Sequence, residues 1–513
     1  MKRDGTRASL WQDTSPDYHT QDFDTHARKF DVLIAGGGIT GITTGLLLQK
    51  AGLKVMIAEA HNVAFGTTGG TTAHLNTIMD TPYNIIQQKF GENDAQLVAN
   101  AIKDSLALIK KNIKEYNIDC GYKELDGYMF AQDEKQAKEL EAIFKATLQC
   151  GVAIEWTDKI PLPFSFEKAV RFPGQASFHP VRYVLGLAKA FEEAGGILLE
   201  DCRVVSVKEG ETNTITTSCG DFAAQYFIYA THIPPGVNLL HFRCAPYRSY
   251  AMAVKLRAAS DYPEALVYDM YDPYHYYRTQ EIDGELYFIA GGEDHKTGHE
   301  TNTENCFRQL QAHIEKYFPV NSVINSWSSQ YFEPTDGLPY IGNLPGHPAN
   351  MFVATGFGGN GMVYSGVAAI TLADMITNVR SPYEDVFDPN RIKIVAGFSN
   401  FVKEAADVVG KLLGRFVPAE NLPELAGLAP GEARVVKFED HRLAIYKDED
   451  GEVHAVNSAC THIKCDVAWN NAEKTWDCPC HGSRFSYTGE MLTAPARKDL
   501  ENVEIMKEEK SRV

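Results

Sequence analysis

Basic residues are scarce. Lys and Arg number 49 against 67 Asp and Glu, for a formal net charge of −18, and this argues against a nucleic-acid partner, because phosphate binding needs clustered cations. Apolar runs free of glycine are also missing. Residues 32–49 (VLIAGGGITGITTGLLLQ) and 351–373 (MFVATGFGGNGMVYSGVAAITLA) carry no charge and are long enough to cross a bilayer. Both concentrate glycine, however, which suits a strand, a turn and a helix better than one continuous span, so no membrane span is expected. The opening stretch MKRDGTRASLWQD puts no apolar core behind its basic residues, and no secretory signal is expected. A disulfide framework is absent over most of the chain: Cys120, Cys150, Cys202, Cys219, Cys244 and Cys306 are scattered, the pattern of reduced thiols in a cytoplasmic protein. The other four of the ten cysteines crowd into residues 460–480 and need a chemical explanation.

The chain of 513 residues is long enough for two or three cores. Residues 1–29 are polar and without periodicity, and read as a surface arm. A strand–loop–helix–strand unit follows at 31–59, and 91–116 and 133–149 read as amphipathic helices. β-rich stretches (Ser249–Leu256, Tyr274–Thr279, Glu285–Ala290) fill the region from about 240 to 330. A glycine-rich block at 336–361 leads into a helix ending near Asp374. A helical connector is expected over 390–415, and beyond Pro423 come short strands with tight turns (Ala433–Phe438, Leu443–Lys447, Val453–Asn457).

The first chemical motif is Gly36-Gly37-Gly38-Ile39-Thr40-Gly41, a G-x-G-x-x-G loop directly after the apolar strand from Asp31. Gly36 permits the tight turn, Gly38 lets a pyrophosphate approach the backbone, and Gly41 lets helix and strand pack closely. The helix N-terminus offers free N–H groups and partial positive charge to the phosphates. Glu59 ends the next strand, 18 residues after Gly41, where a carboxylate can accept from ribose hydroxyls; Ala60 follows it. The loop binds a dinucleotide but does not by itself separate FAD from NAD.

Over about 31–380 the chain resembles the D-amino-acid oxidase and glycine oxidase group of FAD-dependent oxidoreductases. The resemblance rests on the glycine loop, the hydroxyl-rich stretch Gly66-Thr67-Thr68-Gly69-Gly70-Thr71-Thr72-Ala73-His74, the signature Asp336-Gly337-Leu338-Pro339-Tyr340-Ile341-Gly342, and Ala354-Thr355-Gly356-Phe357-Gly358-Gly359-Asn360-Gly361-Met362. It implies FAD, with Thr67, Thr68, Thr71, Thr72 and His74 near the flavin, Val204 and Val205 at the adenine, Ala230 and Thr231 at the phosphates, and a helix starting near Gly361 whose N-terminus faces the flavin edge that gains negative charge on reduction. The implied architecture is an α/β Rossmann-like FAD part (about 30–90, 170–235 and 335–380) interleaved with an α+β substrate part (about 91–169 and 240–334) within 30–385. His74 stands about one residue from where a dimethylglycine-dehydrogenase-like loop carries a flavin-linked His, so non-covalent FAD is expected.

Near the C-terminus, Cys460-Thr461-His462 is followed after 15 residues by Cys478-Pro479-Cys480-His481. A Cys₂His₂ zinc site would carry its cysteines and histidines as separate pairs, whereas each loop here mixes them. Together with Gly482-Ser483, the pattern resembles a Rieske domain. The resemblance implies an all-β fold over 423–513, reached through a connector at 386–422. It also implies a [2Fe–2S] cluster with Cys460 and Cys478 on one iron and His462 and His481 on the other. Cys465 and Cys480 match the positions that carry a disulfide in Rieske proteins of the cytochrome bc type. The bc pattern has a Tyr donating to a cluster-ligand sulfur where this chain has Phe485, so a potential below the high end of the Rieske range is expected.

A flavin takes electrons in pairs and a [2Fe–2S] centre passes them singly, so the combination reads as a dehydrogenase of an amine or amino-acid C–N bond. It would export electrons to an external acceptor, a protein or a quinone, and touch a membrane only through that acceptor. A redox-sensing or electron-distributing protein without small-molecule turnover, and an oxygen-using oxidase with a structural cluster, remain open. Amino-acid oxidases of the group clamp the substrate carboxylate with an Arg shortly before the Asp336 signature; Trp327–Thr335 contains Gln330 but no Arg. Arg248 and Arg278, on the β-rich segment, could take over that role or be structural. The aromatic run Tyr274-His275-Tyr276-Tyr277 could line the substrate pocket, with Tyr277 the candidate kept beside Gln330.

Overall fold

The computed structural model describes residues 4–21, 28–271, 273–391, 420–421, 428–438 and 441–503. The connector expected at 390–415 lies almost wholly outside the described residues.

The first layer is an eight-stranded sheet. Along it run Tyr340–Asn343, Met351–Thr355, Gly220–Tyr229, Lys29–Ala35, Val55–Ala58 and Ile197–Leu199. From Met351–Thr355 to Ile197–Leu199 neighbouring strands are parallel, which is why both faces must be covered and why these strands read as continuous apolar runs. Helix Ile39–Lys50 follows the first strand and helix Gly361–Ile376 follows Met351–Thr355, so the two uncharged segments are each a strand, a turn and a helix. Among the described residues no helix is long and apolar enough to cross a membrane. At the turn, Gly36 has φ +112°, and a Cβ on Gly41 would stand 1.9 Å from the Gly36 carbonyl oxygen. The close helix–strand contact therefore excludes any side chain at Gly41.

The second layer is a nine-stranded sheet running Val320–Pro334, Cys244–Leu256, Glu285–Lys296, Tyr276–Ile282, Ala265–Tyr268, Lys123–Ala131, Lys168–Ser177 and His74–Leu75. The helices Glu92–Glu115 and Glu134–Gln149 are amphipathic in the register expected, with Ala95, Val98, Ile102 and Ile109 of the first buried. Two four-stranded sheets follow in the C-terminal part. In one, Ala433–Phe438, His441–Lys447 and Val453–Asn457 are antiparallel and Glu420–Asn421 pairs parallel to the first of them; the other, on Ala468–Asn470, Thr475–Asp477, Arg484–Ser486 and Met491–Thr493, is antiparallel.

The N-terminal segment is not a surface arm. Leu10 and Trp11 are buried in the main core, Trp11 Nε1 donates to Thr71 O (2.5 Å), and Asp4 receives Arg484 Nη1 (2.5 Å) across 480 residues of sequence. A four-residue helix, Leu10–Asp13, closed by a Ser9–Gln12 capping box, holds the turn. It is too short to leave a periodic signal.

Candidate functional site

A cavity of about 310 Å³ lies between the two large sheets and the C-terminal domain. At one end it is lined by Gly36, Gly38, Ile39, Thr40, Glu59, Ala60, Val204, Ala230 and Thr231; further along come Thr67, Thr68, Thr71, Thr72 and His74, and then Gly358, Gly359, Asn360, Gly361 and Met362. Gly41 stays behind the wall, packed on Gly36. Val205 is half-exposed on the opposite side of its strand, and Gly356 lines a neighbouring cavity of about 200 Å³.

Local hydrogen bonds set this lining. Glu59 is partly buried, its two carboxylate oxygens accepting from Gly37 N (2.6 Å) and His61 N (2.9 Å), and loss of water around it raises its pKa. Thr68 Oγ1 accepts from Ile39 N (3.2 Å) at the helix N-terminus. Asp80 accepts from Gly359 N (2.7 Å) and Asn360 Oδ1 accepts from Asp80 N (2.7 Å), tying the second glycine loop to the strand layer. His74 Nδ1 pairs with Tyr268 OH at 2.9 Å while its Nε2 is buried without a partner; burial, then the Arg278 charge, hold it well below the ordinary histidine range and so neutral.

The substrate-side candidates separate. Tyr274 and Tyr276 line the cavity, whereas His275 and Tyr277 alternate to the other face, where Tyr277 OH meets His313 Nε2 (2.7 Å). Arg278 is fully buried and donates to Thr72 O, Ala73 O and Phe178 O. Arg248 is buried at the junction with the C-terminal domain, donating to Ser328 Oγ (2.6 Å), 3.9 Å from Asp477. Neither arginine reaches the cavity, because each guanidinium answers buried acceptors elsewhere. Gln330 does line it. Sequence reasoning missed Asp80, Asp294 and Tyr331, and from the C-terminal domain Met491, Leu492, Thr493, Ala494, Ala496 and Arg497, all of which line it too, as does His232, which the sequence left unassigned.

In the C-terminal domain two loops bring Cys460, His462, Cys478 and His481 together. Cys460 and Cys478 are fully buried, and the rings of His462 and His481 stand 4.9 Å apart, edge to face. Cys465 and Cys480 form a disulfide joining the loops. Both ring nitrogens of His481 are buried with no hydrogen-bond partner; the same holds for His462, whose ring lies by the Gly236 backbone without a formed bond. Four orphaned imidazole nitrogens beside two buried thiols is a costly arrangement unless an ion set completes it, and burial keeps both rings neutral, as ligation requires. Cys460 is drawn below the ordinary thiol value chiefly by the Cys478 thiol, with the His462 backbone N–H and the Ser483 hydroxyl also directed at its sulfur. The residues fit a mixed thiolate–imidazole cluster. Phe485 is buried and offers no donor.

The histidine edge faces the main body. His241 packs its ring on His462 (4.8 Å) and lies 5.9 Å from His481, Phe242 stands 5.4 Å from His481, and His481 is 2% exposed. One residue connects this edge to the cavity: the Gln330 backbone carbonyl accepts from Thr67 Oγ1 (2.9 Å), and its side-chain Nε2 donates to Gly482 O (2.9 Å), next to His481.

Comparison with known proteins assigns a family to each part of the chain. A family model described as FAD dependent oxidoreductase (DAO) matches residues 31–375, and one described as Rieske [2Fe–2S] domain matches 420–504. The chain is 33% identical over 478 residues to the putative Rieske 2Fe–2S iron–sulfur protein YhfW of Bacillus subtilis, covering 93% of each chain. It is 23% identical to gamma-glutamylputrescine oxidoreductase of Escherichia coli over 67% of this chain and 83% of that one. The crystal structure of glycine oxidase from Geobacillus kaustophilus aligns with a TM-score of 0.60 at 19% identity, covering 71% of this chain and all of that one. The chain belongs to the DAO family of FAD-dependent oxidoreductases, with FAD as the cofactor of that part and a [2Fe–2S] cluster as that of the Rieske domain following it.

Proposed function

We propose that the protein is a flavin dehydrogenase acting on the C–N bond of an amine or amino acid, its electrons leaving one at a time through the Rieske domain to an external protein or quinone. When bound, FAD supplies a two-electron acceptor and the cluster a one-electron carrier. The observation that carries the reading is the bridge Thr67–Gln330–Gly482, which joins the cavity wall to the cluster loop through one residue: its backbone carbonyl accepts from Thr67 and its side-chain amide donates to Gly482 O. Closure of the histidine edge by His241 and Phe242 points the same way: that edge meets the flavoprotein body, with His481 buried and His462 partly so.

The chain's own groups have separable tasks. The Gly36–Gly41 turn and the first amides of helix Ile39–Lys50 would take the pyrophosphate, Glu59 the ribose, and Val204, Ala230 and Thr231 the adenine and phosphate end. Thr67, Thr68, Thr71 and Thr72 would border the flavin. The N-terminus of helix Gly361–Ile376 would hold the negative charge that reduction brings. Cys460, Cys478, His462 and His481 would ligate the cluster, with backbone N–H groups of Cys480 and His481 supporting the Cys478 sulfur.

Gly38→Glu tests the cofactor loop. A Cβ on Gly38 meets Thr68 Oγ1 at 3.0 Å, so the added carboxylate points into the cavity. Two like charges about 4 Å apart at an effective dielectric of about 20 repel by roughly 4 kcal/mol, near a thousandfold in affinity. The variant should purify without FAD; stoichiometric FAD in it would remove this loop from the site. Wild-type FAD should come free on acid precipitation, and yellow colour left in the pellet would show a covalent link.

The reaction class is tested on anaerobic protein, first shown competent by photoreduction of its flavin and then mixed with amines and amino acids in turn. Bleaching by one of them is the expected result. Reduction only by a protein partner would make it an electron distributor, and peroxide release unaffected by loss of the cluster would make it an oxidase.

A further inference from the structure

The end of the cavity away from the glycine loop is built of carboxylates and tyrosines. Strand Glu285–Lys296 breaks its pairing with Cys244–Leu256 there: Arg248 faces His295, but Tyr250 already faces Gly292. Glu293 and Asp294 there oppose the single residue Ser249, and Glu293 has φ +58°, a conformation that a glutamate adopts only against strain. The bulge turns Asp294 into the cavity. Tyr331 OH donates to Asp294 Oδ2 at 2.9 Å, and the Ser249 hydroxyl, engaged with Tyr276 OH at 2.9 Å, stands by the same carboxylate. Asp294 Oδ1 is buried with no hydrogen-bond partner.

Around it stand Tyr274, Tyr276 and Tyr331, with Asp80 behind. The adjoining cavity of about 200 Å³ shares Asp80, Tyr274 and Tyr331 and adds Glu333 at an exposed rim; among the described residues its lining contains no Lys, Arg or His. The arginines that line the larger cavity, Arg203 and Arg497, bond at its other end to His61 and Pro235. Arg278 sits behind His74 on backbone carbonyls, and His74 is neutral.

We infer that Asp294, with the Tyr274, Tyr276 and Tyr331 rings, is the binding site for the ammonium group of the substrate, and that the substrate is an amine cation without an α-carboxylate. The inference rests on the C–N dehydrogenase reading and narrows it. A buried carboxylate oxygen without a donor is a persistent cost, and a strained bulge aims it at open space; an ammonium supplies both donor and charge, and tyrosine faces attract the cation. An α-carboxylate on the same carbon would be carried in beside Asp294 and Asp80 with no cation to offset it. Asp294 Oδ1 also stands where it can take the nitrogen proton, converting R–CH₂–NH₃⁺ and carboxylate into R–CH₂–NH₂ and carboxylic acid.

Two probes of one carbon skeleton separate these substrates without turnover. tert-Butylamine and 2-aminoisobutyrate differ by a methyl for a carboxylate, and neither has an α C–H to oxidise. Each is titrated into the full-length, FAD-loaded protein and followed by perturbation of the flavin absorbance. tert-Butylamine should bind at least tenfold tighter than 2-aminoisobutyrate, and Asp294→Asn should erase that preference. Equal or tighter binding of 2-aminoisobutyrate, or no perturbation by tert-butylamine, overturns the inference, and this wild-type comparison holds whether or not the variant folds. Bleaching is scored separately with n-butylamine and norvaline. Asp294-dependent cation binding with no bleaching by any amine keeps the site and removes the C–N reading. Bleaching by norvaline alone keeps that reading and removes the site.

Discussion

Cys478→Ser is expected to leave substrate-driven flavin bleaching within about twofold of wild type while cutting delivery to a one-electron acceptor by a hundredfold or more, since the two reactions belong to different centres. Cys478 is fully buried, its sulfur supported by the Cys480 and His481 backbone N–H groups, and a serine hydroxyl cannot replace that thiolate. Iron content reports loss of the cluster directly. A second variant keeps the cluster and changes only its charge: His462→Cys adds a thiolate, so the potential should fall toward the about −400 mV of all-cysteine ferredoxins, and the low average g-value of the reduced protein's EPR signal should move with it. If the cluster-free protein reduces its acceptor at the wild-type rate, the Rieske domain is structural or regulatory and the relay is lost. The closed histidine edge sharpens the expectation. On the proposed relay, with His241 and Phe242 over that edge, His462→Cys should slow electron transfer from the flavin before it alters docking of an outside acceptor.

The parts of this molecule that could be read in the sequence are those whose chemistry is fixed by short spacing. Gly36, Gly38 and Gly41 announce themselves because each has a separate local reason to lack a side chain, and Glu59 follows from the length of one helix and one strand. The Cys460–His462 and Cys478–His481 loops are legible for the same reason, and so is the amphipathic register of 92–115. Contacts across hundreds of residues are not. Nothing near Arg248 in the chain says that its partner is Asp477, and nothing near Leu10 and Trp11 says that a core waits for them. The alternation Tyr274/Tyr276 against His275/Tyr277 was readable as a strand, but which pair faces the cavity depends on the neighbouring strands. Asp294 had a signal that went unused: Gly291-Gly292 inside a run of strand residues marks a bulge, and a carboxylate two residues on is turned by it.

Arg484→Met is expected to destabilise the folded chain by about 3–5 kcal/mol, the usual cost of breaking a buried ion pair from one side. Arg484 is completely buried; its Nε donates to Asp477 Oδ1 (3.1 Å) and its Nη1 to Asp4 Oδ2 (2.5 Å). Asp477 is itself buried and held below the ordinary carboxylate range, against its burial, by Arg484 and then Arg248. The Rieske domain, the N-terminal segment and the strand Cys244–Leu256 therefore share one desolvated charge cluster. Glu473 extends it, accepting from Ser328 N (3.1 Å) and Ser328 Oγ (2.6 Å) in the main body. Methionine fills much of the volume but leaves the Asp4 and Asp477 carboxylates facing each other with Arg248 3.9 Å from one of them. The loss should appear first as release of the N-terminal segment and loosening of the Rieske junction, read as faster hydrogen exchange in residues 4–13 and 470–486, before the large sheets melt. Lys138→Ala is the control: its ion pair with Glu134 is exposed and one helical turn long, and its removal should cost less than about 0.5 kcal/mol. Equal effects of the two substitutions would mean that the buried cluster does not hold the domains together. A large loss confined to Arg484→Met, followed by uncoupling of flavin reduction from acceptor reduction with the iron still bound, would tie the docking of the Rieske domain to electron export.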